Sequence, residues 1–312
     1  MQFWKKKENL ITQCSECEWR PDGEKHWACS CGHKWNTFDT KGKCPKCKTQ
    51  WENTWCPGCG NSTPHKDWYM TTEEIEQIEN SGNKELRNKK KRLEGRLIDY
   101  GIRNYRISHL DYLDHTREKF QTPYEAGCRM MILYAIGYLV HNLDDRPEII
   151  QWLKDEKIWD KVPPNERNFL QGIQLNEHTL MDLSWNIESA LTLGWCLKKL
   201  HNLPRLDKEN NENAIKEFQR NLPELGDSLM LFLSNLEYRD LSEIYEENLL
   251  NELATTYFRD LMISDQKDKT HINRYVSFER HKVLNWLRTF YYTAEDEVVL
   301  TGERWDETDT AT

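Results

Sequence analysis

Eight of the ten cysteines stand in four close pairs near the N-terminus: Cys14/Cys17, Cys29/Cys31, Cys44/Cys47 and Cys56/Cys59. Two thiolates one or two residues apart on a tight turn point at one ion, and two such turns complete a tetrahedral four-sulfur site. Proline and glycine flank the turns, as Cys44-Pro45, Cys56-Pro57-Gly58, Cys31-Gly32 and Cys59-Gly60. The arithmetic predicts two zinc ions, both structural. A hydrolytic zinc keeps an open position for water and usually takes three histidine or carboxylate ligands, whereas an all-cysteine site is closed. A disulfide framework is the alternative for so many cysteines. The leading stretch MQFWKKKENLITQC has positive charge without an apolar run behind it, so no export and a reducing, cytoplasmic setting are expected. The paired spacing also suits zinc better than an iron–sulfur cluster.

Two pairings of the turns are open. A sequential scheme joins 14/17 with 29/31 and 44/47 with 56/59. A nested scheme joins 29/31 with 44/47 and leaves 14/17 with 56/59. Trp27 to Trp35 resembles the opening turn of a zinc ribbon and speaks for nesting, while Cys44 to Cys59 resembles a compact double turn and speaks for the sequence order. His26, His33 and His65 are expected outside the ligand set, because eight thiolates already satisfy two ions.

These turns must be positioned by something, and composition breaks near residue 70. Residues 1–70 hold seven of the thirteen tryptophans along with the eight paired cysteines, and are expected to form a ribbon module of short β-hairpins. Residues 71–312 hold two cysteines and read as helix after helix, an all-α domain. Thr71-Thr72-Glu73-Glu74 predicts a helix through Asn80, and another is expected from about Lys84 to Asp99. Thr122-Pro123 opens a central helix to Val140 that is apolar nearly all round. A second core helix is predicted from Ser184 to Leu200, and further helices over 147–154, 165–172, 211–220, 224–235, 241–262 and 277–291. No apolar run reaches the roughly 20 residues a bilayer needs, so no membrane association is expected.

The charge balance of the 312 residues is −9, which excludes a general attraction to nucleic acid. Residues 1–70 are +3 as written, and eight thiolates with two zinc ions bring the head near −1. Its tryptophans Trp19, Trp27, Trp35, Trp51 and Trp55 can build a core or stack on bases. The strongest basic feature is the 84–96 stretch, at +5, with Lys89, Lys90, Lys91 and Arg92 as candidate phosphate contacts. A solvated helix face explains the same residues. Catalytic signatures are scarce: there is no phosphate-cradling loop, no His-Glu-x-x-His and no nucleophile elbow. Cys128 and Cys196 sit in apolar helices as small hydrophobes, and His178/Asp182 form one isolated pair.

Ser184 to Leu197 with Asn202-Leu-Pro204, Thr122 to Arg129, and Phe278 to Leu287 with the Trp305 tail resemble three motifs of one family. That family is the domain of unknown function 4272, and the resemblance spans about residues 85–310. It departs at Asn186, where the family often carries arginine. The resemblance implies no activity. Glu125, Arg129, Trp185, Glu188, Glu279 and Arg280 form a candidate buried polar cluster, either as fold-specifying ion pairs or as a ligand site. The Trp305 tail is expected to pack back on the domain. The sequence reads as a cytoplasmic, non-enzymatic zinc adaptor that docks a protein partner. A nucleic-acid-associated factor is the rival, and an enzyme with a Glu/Arg site is a third reading.

Overall fold

The computed structural model describes residues 10–16, 18–58, 60–80, 84–102, 120–173, 176–207, 212–263, 265–288, 303–306, 308 and 310. The chain divides into two compact units, Met1–Ile98 with Ile102–Leu113, and Asp99–Gly101 with Asp114–Thr312.

The first unit begins with three two-stranded antiparallel pairs. β1 (Ile11–Thr12) pairs with β6 (Tyr69–Met70) and ties the ends of the head together. β2 (Trp27–Ala28) pairs with β3 (Lys34–Trp35), and β4 (Asn53–Trp55) with β5 (Ser62–Pro64). Strands this short cannot hold by ladder bonds alone. Aromatic side chains fill the space between them: Trp68 is fully buried, with Phe38 at 4.9 Å and Trp19 at 6.1 Å between ring centres. His65 stacks on Phe38 at 5.1 Å and shares hydrogen bonds with Thr54 (2.6 Å) and Tyr69 (2.9 Å), so it is a core residue. Trp51 and Trp55 stay exposed. α1 (Thr72–Asn80) opens with a capping box. There Thr71 Oγ1 accepts from the Glu74 N–H, and Glu74 Oε2 accepts from the Thr71 N–H. α2 (Lys84–Asp99) follows.

The second unit is a helical body. α3 (Pro123–Leu139) starts at the Thr122 cap, whose hydroxyl accepts from the Glu125 N–H at 3.2 Å. Eleven of its residues are buried, as an all-round apolar helix requires. α4 (Arg146–Asp155), α5 (Pro164–Leu170) and α6 (Glu177–Ser184) lead to α7 (Asn186–Cys196), which packs along α3. α8 (Glu212–Arg220) and α9 (Met230–Ser234) flank this pair. α10 (Leu241–Ile263) lies on α11 (Arg274–Arg288), which lies on α7. α12 (Glu303–Asp306) sits against α5. No helix among the described residues is long and apolar enough to cross a membrane.

Several helix bounds differ from the sequence expectation: α6 is not among the expected helices, α7 begins at Asn186 and not Ser184, and α11 begins at Arg274 and not 277. Two further differences have a visible local cause. α7 stops at Cys196, not Leu200, because Lys198 turns left-handed (φ 61°) and the Lys199 N–H reaches back to the Gly194 carbonyl at 2.7 Å. The expected 224–235 helix shrinks to α9, because Gly226 (φ 106°) and the Asp227 carboxylate, which accepts from the Glu224 N–H, form a turn first.

Candidate metal centre

The Cys44–Cys47 turn sets the pattern for the head. The Cys44 N–H donates to the Thr49 carbonyl and the Lys48 N–H to the Cys44 carbonyl, each at 2.9 Å, with Lys48 left-handed at φ 66°. The same bonds recur at Cys14, from its N–H to Trp19 O and from Glu18 N–H to its carbonyl, with Glu18 at φ 61°. They recur again at Cys56, with Asn61 and Gly60 as partners and Gly60 at φ 75°. The shorter 29/31 turn closes one residue earlier, with Gly32 at φ 79°. A turn of this kind leaves its first sulfur and the sulfur two or three residues on facing the same side, as a shared ion needs.

Cys29, Cys31, Cys44 and Cys47 come together, with all four sulfurs within 4.8 Å of one another. Cys29 Sγ lies 3.5 Å from Cys47 Sγ, and Cys31 Sγ lies 3.7 Å from Cys44 Sγ. These are non-bonded distances, far beyond the about 2.05 Å of a disulfide. Metal–sulfur arms of about 2.3 Å in a tetrahedron give edges of about 3.8 Å, so the two short sulfur pairs match the spacing of a four-thiolate site for a metal of zinc's size. The 29/31 turn is thus joined to 44/47, as nesting requires. The β2–β3 pairing, with Trp27 opposite Trp35, closes the hairpin that carries the 29/31 turn, and a Lys43–Gln50 bridge closes the 44/47 turn.

The other half of the eight is seen through Cys14 and Cys56, since Cys17 and Cys59 lie outside the described residues. Both described sulfurs belong to fully buried residues packed in one cluster with Trp68. Their turns touch. A side chain at Gly58 would begin 2.8 Å from Trp19 Cβ, so only glycine lets the 56–59 turn sit on Trp19. Asn61 Nδ2 also donates to the Glu16 carboxylate across the same junction.

In the body, Glu188 and Arg280 of the residues singled out from the sequence pair with each other, and the other charged ones go to separate partners. Arg129 is forked by the Glu166 carboxylate, and its guanidinium lies 4.0 Å over the Trp305 ring. Glu188 accepts from Arg280 Nε at 2.7 Å, and Glu247 stands 4.0 Å from Arg280 Nη1. Glu125 pairs with Lys161 at 2.7 Å. Glu279 accepts from the Ser189 hydroxyl at 3.0 Å, and burial lifts its carboxyl above the ordinary range, with Lys282 and Ser189 opposing. Trp185 stacks on Tyr275 at 5.3 Å. Glu166, Lys161 and Glu247 carry no sequence signal that marks them as these partners. Trp185, Asn186, Glu279, Lys282 and Trp305 are among the residues lining an open cleft of about 1460 Å³. His178 and Asp182 at its rim form an exposed 2.9 Å pair. Of the basic stretch, Lys89 is buried, Lys91 and Arg92 are exposed but none of the three lacks a partner, and the Lys90 side chain lies outside the described residues. Cys128 and Cys196 are fully buried, and burial pushes the Cys128 thiol up to about 12.

Neither the curated proteins nor the solved structures contain a match to this chain. The family model described as a domain of unknown function, DUF4272, matches residues 89–308, and the chain belongs to that family.

Proposed function

We propose that this chain is a non-enzymatic interaction protein of the cytoplasm. In this reading residues 1–70 form a head held by two structural zinc ions, and residues 71–312 form an all-α domain that, with the head, docks a protein partner. The observation that carries the reading is the repetition of one turn geometry at Cys14, Cys44 and Cys56, with the 29/31 turn already in contact with 44/47. Cys14, Cys17, Cys56 and Cys59 would then hold the second ion. Four thiolates around each ion leave no position for water or substrate, so the metal supplies folding energy and not chemistry. Thiolate ligands must be reduced to hold zinc, which agrees with a reducing compartment.

An enzyme built on the Glu/Arg residues is disfavoured by the same geometry. Arg129, Arg280, Glu188 and Glu125 each spend their charge on a neighbouring side chain, which is how ion pairs specify a helix arrangement. Exposed methionines on the body, Met181 at 61% and Met262 at 78%, are adaptable contact residues of the kind partner surfaces use. The test is purification from the native host without chelator, after mild cross-linking. About two zinc per chain and a stoichiometric protein partner whose recovery falls on chelation are expected. Fewer than about one zinc per chain, or a tightly held small molecule that the chain turns over, would contradict it.

A further inference from the structure

The near-neutral charge of the head conceals a division. Residues 25–51, wrapped around Cys29, Cys31, Cys44 and Cys47, contain six lysines and a single acid, Asp39. The rest of the described head, 10–24 and 52–70, contains six acids against Arg20 and Lys66. A four-thiolate zinc adds −2 to each side, leaving the first lobe at about +3 and the second at about −6. At about 0.1 M salt the Debye length is about 10 Å, so a chain lying on the surface of residues 25–51 feels chiefly the charges of that stretch.

The lysines are placed for contact. Lys25, Lys34, Lys41, Lys43, Lys46 and Lys48 are all exposed, and among the described residues none of the six is held in an ion pair. Lys46 lies between two of the clustered cysteines, and Lys48 follows them with its ammonium on the Pro45 carbonyl at 2.8 Å. Two large apolar rings stand open on the same lobe or at its edge. Trp51 is 38% exposed, its side chain lies beside the Cys29 sulfur, and its backbone N–H donates to the carbonyl of Gly42, between Lys41 and Lys43. Trp55 is 43% exposed, and its carbonyl accepts from the Trp27 indole at 2.8 Å. The other three ribbon tryptophans are used in the aromatic packing, so these two are not needed to fill it.

We propose that this lobe binds single-stranded nucleic acid, the lysines neutralising phosphates while Trp51 and Trp55 stack on bases. The inference rests on the zinc-head reading, since the lobe is shaped by the Cys29/Cys31/Cys44/Cys47 cluster. An acidic protein segment would meet the lysines equally well but has no use for two open ring faces, whereas unpaired bases do. The lobe, and not α2, carries the binding: Lys89 is buried, and Lys91 and Arg92 are already engaged.

The test uses the zinc-loaded full chain and a short fluorescein-labelled oligouridylate, titrated by fluorescence anisotropy. Four phosphate contacts give a log–log salt slope of about −2.8, so binding weakens roughly fifty-fold between about 50 and 200 mM salt. Lys46→Glu with Lys48→Glu should cut the slope by about 1.4 and weaken binding tenfold or more, while Lys91→Glu with Arg92→Glu leaves it unchanged. Trp51→Ala should weaken binding roughly five-fold or more with the slope retained. If a head variant loses its metal, acetylation of wild-type lysines replaces it: the oligonucleotide should protect Lys41, Lys43, Lys46 and Lys48. Zinc-loaded protein that does not bind, that binds polyglutamate in preference, or whose protection falls on other lysines would overturn the proposal. Zinc counted on the same sample separates the failures. Two ions without binding sink the surface alone, whereas a metal-free native chain sinks the head reading and this inference with it.

Discussion

Arg280→Met tests whether the body is held in register by its buried ion pairs. Arg280 is 1% exposed, and its guanidinium faces two carboxylates that are themselves buried, Glu188 at 2.7 Å and Glu247 at 4.0 Å. Methionine fills much of the same volume, so little of the cost comes from a cavity. The cost comes from Glu188, which is left charged in the core with its arginine partner gone. Removing one member of a buried pair costs about 3–5 kcal/mol. Glu247 softens this, because Asn251 Nδ2 also donates to it at 3.0 Å. For a body of roughly 200 residues each kcal/mol moves the melting point by about 2–4 °C, so the expected drop is roughly 6–20 °C. Thermal melts of zinc-replete protein followed by circular dichroism keep the metal constant while the helical signal reports chiefly the second unit. Glu188→Gln/Arg280→Met should recover about 1–3 kcal/mol of the single-variant costs, since the two residues share one interaction. A loss below about 1 kcal/mol for Arg280→Met, or costs that simply add in the double variant, would refute this reasoning.

Other outcomes follow from the packing and the titrating groups. Gly194→Ala places a carbon 2.4 Å from the Phe218 ring and should cost about 1–3 kcal/mol despite alanine's better helix propensity, whereas Gly95→Ala, with nothing within 4 Å, should gain about 0.5–1 kcal/mol; denaturant melts compare them. Glu279 binds its proton more tightly in the folded chain than in the unfolded one, so its contribution to stability falls as pH rises from the unfolded pKa through the folded one. Glu279→Gln keeps an acceptor for Ser189 and should therefore melt above wild type at neutral pH, with the advantage fading near about pH 4; no gain at neutral pH would contradict the burial argument. Cys128 and Cys196 should resist alkylation both in the zinc-loaded chain and after chelation exposes the head cysteines, because burial holds both thiols protonated; labelling read by peptide mass spectrometry decides this.

The parts of this molecule that were legible in its sequence are those fixed by near neighbours. A cysteine pair with glycine or proline beside it specifies its own turn, and Thr122-Pro123 specifies its own helix start. The tail's packing was legible too, because Trp305 is a large apolar ring in a polar stretch, and it is 3% exposed in the fold. Which turn joins which depends instead on strand pairing across long separations, such as Ile11 with Met70. Nothing local encodes that choice. Of the ion pairs, Glu188 with Arg280 joins two residues singled out from the sequence, but the partner of Arg129 was not legible: Glu166 is 37 residues away, and many other acids were equally eligible. Lys198 gave no warning that it would adopt the left-handed cap that ends α7, a role glycine usually fills.

The central claim is that the head holds two ions in a nested arrangement, and the most direct measurement is a cysteine-by-cysteine alkylation map of Cys44→Ser beside wild type. In the zinc-loaded wild type all eight head cysteines should be protected. Cys44→Ser should hold one zinc per chain, with Cys29, Cys31 and Cys47 alkylated and Cys14, Cys17, Cys56 and Cys59 still protected. Alkylation of Cys47, Cys56 and Cys59 with Cys29 and Cys31 protected would mean sequential pairing, and would contradict the account.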